Sequence, residues 1–281
     1  MPSLVIKPVN GLCNRLRSMA SGWILATHLN REFKVIWEPS NDIGFAKFTD
    51  LFEYENWLLD QEDIDLNDES CYTEYTSGVG TVTEMNILSQ ICSNNTDMII
   101  LNKTGGNYKL EEMSLSEFNS LKSKFYQSLR PIRDIREKVK KFSNDNQLNN
   151  CLGVHIRRTD RRSFTPKTEM FAVAIKRHDA YKKVFLCTDD ESEIKKLSVL
   201  ISKNIVTFPK KKYERNTIES VQEALLEWLL LGMCNDILFS HGSSYGYEAC
   251  VCGKKGGAFE MRSVRDKTEN ERRNLPPLVF S

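Results

Sequence analysis

The chain contains no apolar run long enough to cross a membrane. Its best candidate, 224–233, is short and broken by Glu227, whereas a spanning helix needs about 18 residues or more. It has no excess of either charge: 39 Lys and Arg against 38 Asp and Glu leave +1. Nothing therefore argues for nucleic acid or a charged membrane surface, and any anion site must be local. There is no G-x-x-x-x-G-K and no G-x-G-x-x-G segment, which sets aside P-loop enzymes such as sulfotransferases, and dinucleotide-dependent dehydrogenases. The opening Met-Pro-Ser-Leu-Val-Ile enters a strand at once, without a signal-peptide pattern. The eight cysteines (Cys13, Cys71, Cys92, Cys151, Cys187, Cys234, Cys250 and Cys252) show no paired zinc spacing. Cys151 and Cys187 lie in apolar strands, as buried free thiols do. The sequons at Asn94 and Asn102 read as chance matches. These absences describe a soluble, cytoplasmic protein with no membrane span, no nucleic-acid partner and no metal or cofactor of its own.

What is present is ordinary globular composition, 40% apolar and 27% charged over 281 residues, enough for two domains. The second half alternates strands and helices: strand 151–156, helix from about Thr165-Pro166, strand 184–187, helix from Asp190, strand 204–208, helix from Asn216, strand 236–240, helix 244–251, strand 257–261. That alternation predicts parallel βαβ units in a doubly wound sheet. Asp190/Glu193, Asn216/Glu219 and Ser114/Glu117 have capping-box spacing. The first half opens similarly, with strand 4–7, helix 16–30 and strand 33–37. An irregular stretch 40–97 follows, then strand 98–101, a helix from Ser114 and another over 131–142. The polar stretch 143–147 reads as a linker. The expected organisation is an α/β chain with domains 1–145 and 146–262, and a tail 263–281 packing back on the first. The triplet Lys210-Lys211-Lys212 reads as a solvated loop. Asp63-Ile64-Asp65 has D-x-D form but lies in an acidic run, not after a buried strand, and is discounted as a metal site.

Ligands of open parallel sheets bind beyond the carboxyl ends of the strands, and three motifs fall there. After strand 151–156 comes His155-Ile-Arg157-Arg158-Thr-Asp160. After strand 184–187 comes Thr188-Asp189-Asp190. After strand 236–240 comes His241-Gly242-Ser243-Ser244. Guanidinium groups bind phosphate bidentately, so Arg157 and Arg158 suit a diphosphate; the alternative for Arg158, Arg161 and Arg162 is surface charge. Asp189 suits a ribose or base edge, whereas Asp190 reads as a helix cap. Gly242-Ser243-Ser244 offers N–H and hydroxyl groups to a phosphate, or else simply caps a helix. His155 is either a satisfied strand histidine or a base at the crevice. In the first half, Asn10-Gly11-Leu12-Cys13-Asn14-Arg15 also lies between strand and helix: Asn14 either caps that helix or, with Arg15, reaches the reacting centre.

These motifs, Arg157-Arg-Thr-Asp160 after His155, Val184-Phe-Leu-Cys-Thr-Asp-Asp190, and Cys234 through Ala249, resemble in order the three motifs of the fucosyltransferase superfamily. Gly11-Leu-Cys-Asn14-Arg15-Leu and Phe48-Thr-Asp-Leu-Phe52 are most similar to its α-1,2 and xyloglucan branches. The resemblance implies a GT-B architecture, two Rossmann-like domains facing a cleft, and an inverting, metal-independent transfer from a nucleotide-sugar donor to a glycan hydroxyl. It further implies Arg157 at the donor diphosphate, Asp189 at the guanine or ribose, Ser243 and Ser244 at the β-phosphate, and Asn14 and Arg15 approaching from the first domain. Asp160 is the candidate base, or an ion-pair partner for an arginine. The region 40–110 matches none of the branches. The donor is thus GDP-fucose first, with another such as UDP-xylose as the alternative. A non-catalytic nucleotide- or glycan-binding protein is the other class, against which the joint presence of Arg157, Asp189, Ser243 and Ser244 argues.

Overall fold

A computed structural model describes residues 1–60, 62, 72–76, 88–159, 165–214, 216–253 and 257–261. The expectations for Asp160, Arg161, Arg162, Asp63, Asp65, Cys71 and the tail 263–281 lie outside the described residues. The chain divides into two compact units. Unit 1 is Met1–Ile132 with Asn216–Val221; the remaining described residues from Arg133 onward form unit 2.

Unit 1 holds β1 (Ser3–Pro8), α1 (Leu12–His28), β2 (Glu32–Ile36), β3 (Leu58–Leu59), β4 (Tyr72–Thr76), β5 (Met98–Thr104) and α2 (Leu115–Ser128). Its five strands are all parallel, in the order β3-β2-β1-β5-β4. The stretch 40–97 is therefore less irregular than its sequence suggests, because β3 and β4 are added at both edges. α1 begins four residues before the expected Leu16, with Gly11 as its N-cap. Asn14 is consequently not a cap but lies within the first turn. α1 packs close on β1: a Cβ on Gly22 would stand 2.5 Å from the Ile6 side chain. The motif residues Phe48 and Phe52 are core, stacked 5.1 Å apart, with Trp37 and Trp57 edge-on to Phe48.

Unit 2 contains α3 (Arg133–Asn146), β6 (Cys151–Ile156), α4 (Thr168–Arg177), β7 (Lys183–Thr188), α5 (Ser192–Leu200), β8 (Asn204–Val206), β9 (Asp236–Ser240), α7 (Ser244–Gly253) and β10 (Gly257–Met261). The intervening α6 (Ile218–Met233) starts in unit 1 and continues in unit 2. The parallel order is β10-β9-β6-β7-β8, so the sheet reverses direction of growth between β6 and β9. Leu152, Val154 and Ile156 pack with Phe171, Ile175, Val184, Leu186 and Leu197. The polar stretch 143–147 is not a linker, because α3 runs on through Asn146. α6 buries Val221, Leu225, Leu226, Trp228, Leu230 and Leu231, while Ile218 is exposed. Its cap is also displaced by one residue, with Thr217 and Ser220 exchanging reciprocal hydrogen bonds of 3.2 Å. The third expected cap, Ser114 accepting from the Glu117 N–H, is present. Both sheets are the parallel, Rossmann-like α/β layers that the alternation predicted.

Candidate functional site

The reversal point of a parallel sheet is where the loops after neighbouring strands splay apart and leave a crevice. In unit 2 those strands are β6 and β9, and their loops carry two of the three motifs. They are tied at the root. The Arg157 N–H donates to Ser240 Oγ at 3.0 Å, and Ser240 Oγ donates to the His155 carbonyl at 3.4 Å. Ser243 Oγ lies 3.3 Å from His155 Nδ1 and accepts from the Gly246 N–H, so it caps α7 and contacts the β6 histidine. His155 is buried against Tyr245, with ring centroids 4.8 Å apart. Gly242 has φ +64, a conformation that glycine adopts without a Cβ penalty. Its N–H and His241 Nδ1 both meet Glu260 Oε1 on β10, at 3.0 and 2.9 Å. A Cβ on Gly246 would stand 2.3 Å from Phe239 Cβ, so α7 and its N-terminus are pressed directly on β9.

The third motif closes on the first. Asp189 accepts from the Arg158 N–H at 2.6 Å, the Thr159 N–H at 3.3 Å and Thr159 Oγ1 at 2.6 Å. Its carboxylate thus shapes the arginine loop. Asp190 accepts from the N–H and Oγ of Ser192 at 3.0 and 2.6 Å, closing a local turn just ahead of α5. The N-cap of that helix is Glu191, one residue later than expected, and its side chain makes no cap bond. Glu193, the other half of that expected box, turns inward instead.

The two arginines are not equivalent. Arg157 is half-buried, whereas Arg158 is 6% exposed and so is not surface charge. The Arg158 guanidinium donates to Thr165 Oγ1 and the Pro166 carbonyl at 2.9 Å and to Glu193 Oε2 at 3.0 Å. Because the Pro166 carbonyl is engaged there, α4 starts at Thr168 rather than at Thr165-Pro166. Burial pushes the Glu193 carboxyl up, but hydrogen bonds from Arg158, Thr168 and Lys196 outweigh it and hold the group below its ordinary value. Glu193 is the residue that sequence reading missed. Its helix-start position suggested capping, and only its burial reveals an ion pair.

Lys210 is a second correction, since it is not solvated. Its ammonium donates to the Thr188 carbonyl at 2.6 Å, pairs with Glu227 Oε2 at 2.8 Å and sits 4.6 Å from the Tyr213 ring centroid. Burial lifts the Glu227 carboxyl to about 7 despite Lys210, and Glu223 and Asp189 push the same way. The folded state therefore holds this proton more firmly than the unfolded chain does. The resulting stability is fully present below the ordinary carboxylate value and is lost as pH rises through about 7. Urea unfolding of the wild type is expected to lose roughly 2–3 kcal/mol relative to Glu227→Gln between about pH 5 and pH 8. Parallel slopes would remove Glu227 as the source.

In unit 1, Asn10 in the loop after β1 takes the left-handed conformation, at φ +67. Asn14 Oδ1 accepts from Arg17 Nη2 at 2.9 Å, and Arg17 Nε donates to the Gly105 carbonyl at 3.0 Å. Arg15 is 1% exposed. It donates to the carbonyls of Asn10 and Glu38 and to Ser40 Oγ at 2.8–2.9 Å, with Trp37 4.9 Å from its guanidinium carbon. Burial lowers its pKa to about 10, opposed by Asp42 and Glu38, and it stays charged at neutral pH. Arg15 thus braces the loop after β2, which displays Phe45 at 61% exposure and φ +58. A bulky residue in that region is strained. No apolar periodicity could have singled it out.

No disulfide joins the described cysteines. Burial raises the Cys187 thiol well above its ordinary value, consistent with an inert core position. No described helix is long and apolar enough to cross a membrane.

No protein-family model matches the chain, and no curated protein matches its sequence. Solved structures do match. NodZ α-1,6-fucosyltransferase soaked with GDP-fucose is 16% identical with a TM-score of 0.66, over 90% of this chain and 93% of that one. A variant of Arabidopsis thaliana FUT1 in complex with GDP is 14% identical with a TM-score of 0.66, over 94% and 72%. POFUT1 in complex with GDP is 10% identical with a TM-score of 0.56, over 92% and 99%. At these identities the likeness is one of fold: the chain has the two-sheet α/β GT-B fold of these fucosyltransferases.

Proposed function

We propose that the chain is a glycosyltransferase that moves a sugar from a GDP-sugar, GDP-fucose first, to a glycan hydroxyl, with inversion and without a metal ion. The observation that carries this reading is the hydrogen-bonded convergence of the 157–159, 189–190 and 241–244 loops at the reversal point of unit 2. This chain shares its fold with enzymes captured with GDP and GDP-fucose, which supports the same donor here.

The chemistry assigned to these residues is a single displacement. The acceptor oxygen forms a bond to the anomeric carbon as the bond from that carbon to the β-phosphate oxygen breaks. The electron pair leaves on the diphosphate, and the acceptor proton passes to a base or to water. Arg157 neutralises the departing charge, assisted by Ser243, Ser244 and the α7 N-terminus. Arg158 is assigned no donor contact, because its fork is committed to Glu193 and the 165–166 turn. Asp189 acts first by holding the backbone that carries Arg157, and His155 by steadying Ser243. Asp160 remains the proposed base. Asn14 is the proposed polar contact on unit 1, with Arg15 bracing the loops around it.

Titration with GDP and UDP, following thermal unfolding, tests the donor. GDP is expected to stabilise the protein by mass action, and EDTA is expected to change neither that shift nor turnover. Stabilisation by UDP alone would replace the donor, and dependence on a divalent ion would overturn the metal-free assignment.

A further inference from the structure

The Lys210–Glu227 pair is costly for the fold to keep. Its side chains are 10% and 5% exposed, and withdrawing charge from water is unfavourable enough that well-packed apolar residues often serve stability equally well. An apolar pair, however, could not hold a carbonyl. The Thr188 carbonyl lies at the very end of β7, past the last residue of that strand paired to β8, Phe185 with Val206. Lys210, from the segment between β8 and α6, reaches it from a neighbouring loop. Fixing that carbonyl fixes the peptide plane leading into Asp189. The Asp189 carboxylate in turn holds the N–H groups of Arg158 and Thr159. One continuous set of contacts therefore runs from Glu227 on α6, through Lys210 and the end of β7, to the loop that carries Arg157.

We propose that Lys210 and Glu227 are positioning residues for the donor site, setting the arginine loop through Thr188 and Asp189. This inference rests on the donor-site reading above. Neither residue is asked to touch the nucleotide. Each side of the pair is already satisfied: the ammonium by a carbonyl, a carboxylate and the Tyr213 ring, the carboxylate by Lys210. Spatial continuity alone does not demonstrate coupling, so the test must separate positioning from simple stabilisation.

The full chain is titrated calorimetrically with GDP at a temperature where urea unfolding shows each variant to be folded. Lys210→Met is expected to weaken GDP binding by about 5- to 10-fold, and the isosteric Glu227→Gln by about 2- to 3-fold, as expected for sites coupled through a shared network. Asp189→Asn is expected to weaken GDP binding as well, and Lys210→Met combined with it to weaken binding no further than the more severe single change, because both act on the same loop. Unchanged GDP affinity in a folded Lys210→Met protein, with only its unfolding midpoint lowered, would overturn the inference while leaving the donor assignment intact. Should Lys210→Met fail to fold, unchanged affinity in Glu227→Gln decides the same point. Fully additive effects of Lys210→Met and Asp189→Asn would overturn the route through Asp189. Absence of GDP binding in the wild type would overturn the donor reading, and this inference with it.

Discussion

Replacing Arg157 with alanine is expected to lower turnover by about 10²–10³, the loss typical of one preorganised donor to developing charge, roughly 3–4 kcal/mol. The backbone anchor of the loop, the Arg157 N–H on Ser240 Oγ, survives the change, so the loss should appear in turnover more than in stability. Steady-state kinetics with donor and acceptor, run beside urea unfolding, would show this separation. Wild-type turnover in Arg157→Ala would remove the residue from the diphosphate role and with it the main chemical argument for the site.

Its neighbour is expected to do the opposite. Arg158→Ala leaves Glu193 buried at 2% side-chain exposure without its principal cation, a situation that typically costs about 3–5 kcal/mol. The loss should appear in urea unfolding with no donor added. Pairing the change with Glu193→Leu is expected to recover part of it, since the stranded charge is then gone. A stable Arg158→Ala protein that has lost only donor affinity would place this side chain at the ligand instead. In the structure the two adjacent arginines differ in that Arg158 is committed to Glu193.

That difference marks where local sequence pattern ends and tertiary contact begins. Strand β6 matched its expected span, as did β9 and β10, because a short, mainly apolar run between polar segments reads the same in either setting. The Ser114 cap was legible for the same local reason. Where the reading slipped, a distant partner had intervened. The Pro166 carbonyl, engaged by Arg158, moved the start of α4. Glu193 was drawn from a helix cap into an ion pair, and Lys210 was drawn out of solvent by Glu227. In unit 1, Gly11 began α1 early, and Arg15 became a brace between the loops after β1 and β2.

The sequence by itself determined the alternation of strands and helices, the parallel α/β class, and the placing of three polar motifs at strand ends, because all three depend on short-range periodicity and the direction of the chain. The tertiary structure alone decided which charges of those motifs are spent inside. Arg158 and Glu193 are 35 residues apart in the chain, and Arg157 and Ser240 are 83 apart. Whether a guanidinium faces a ligand or a buried carboxylate depends on desolvation and on partners brought together only when the sheet forms, and no local pattern carries that information.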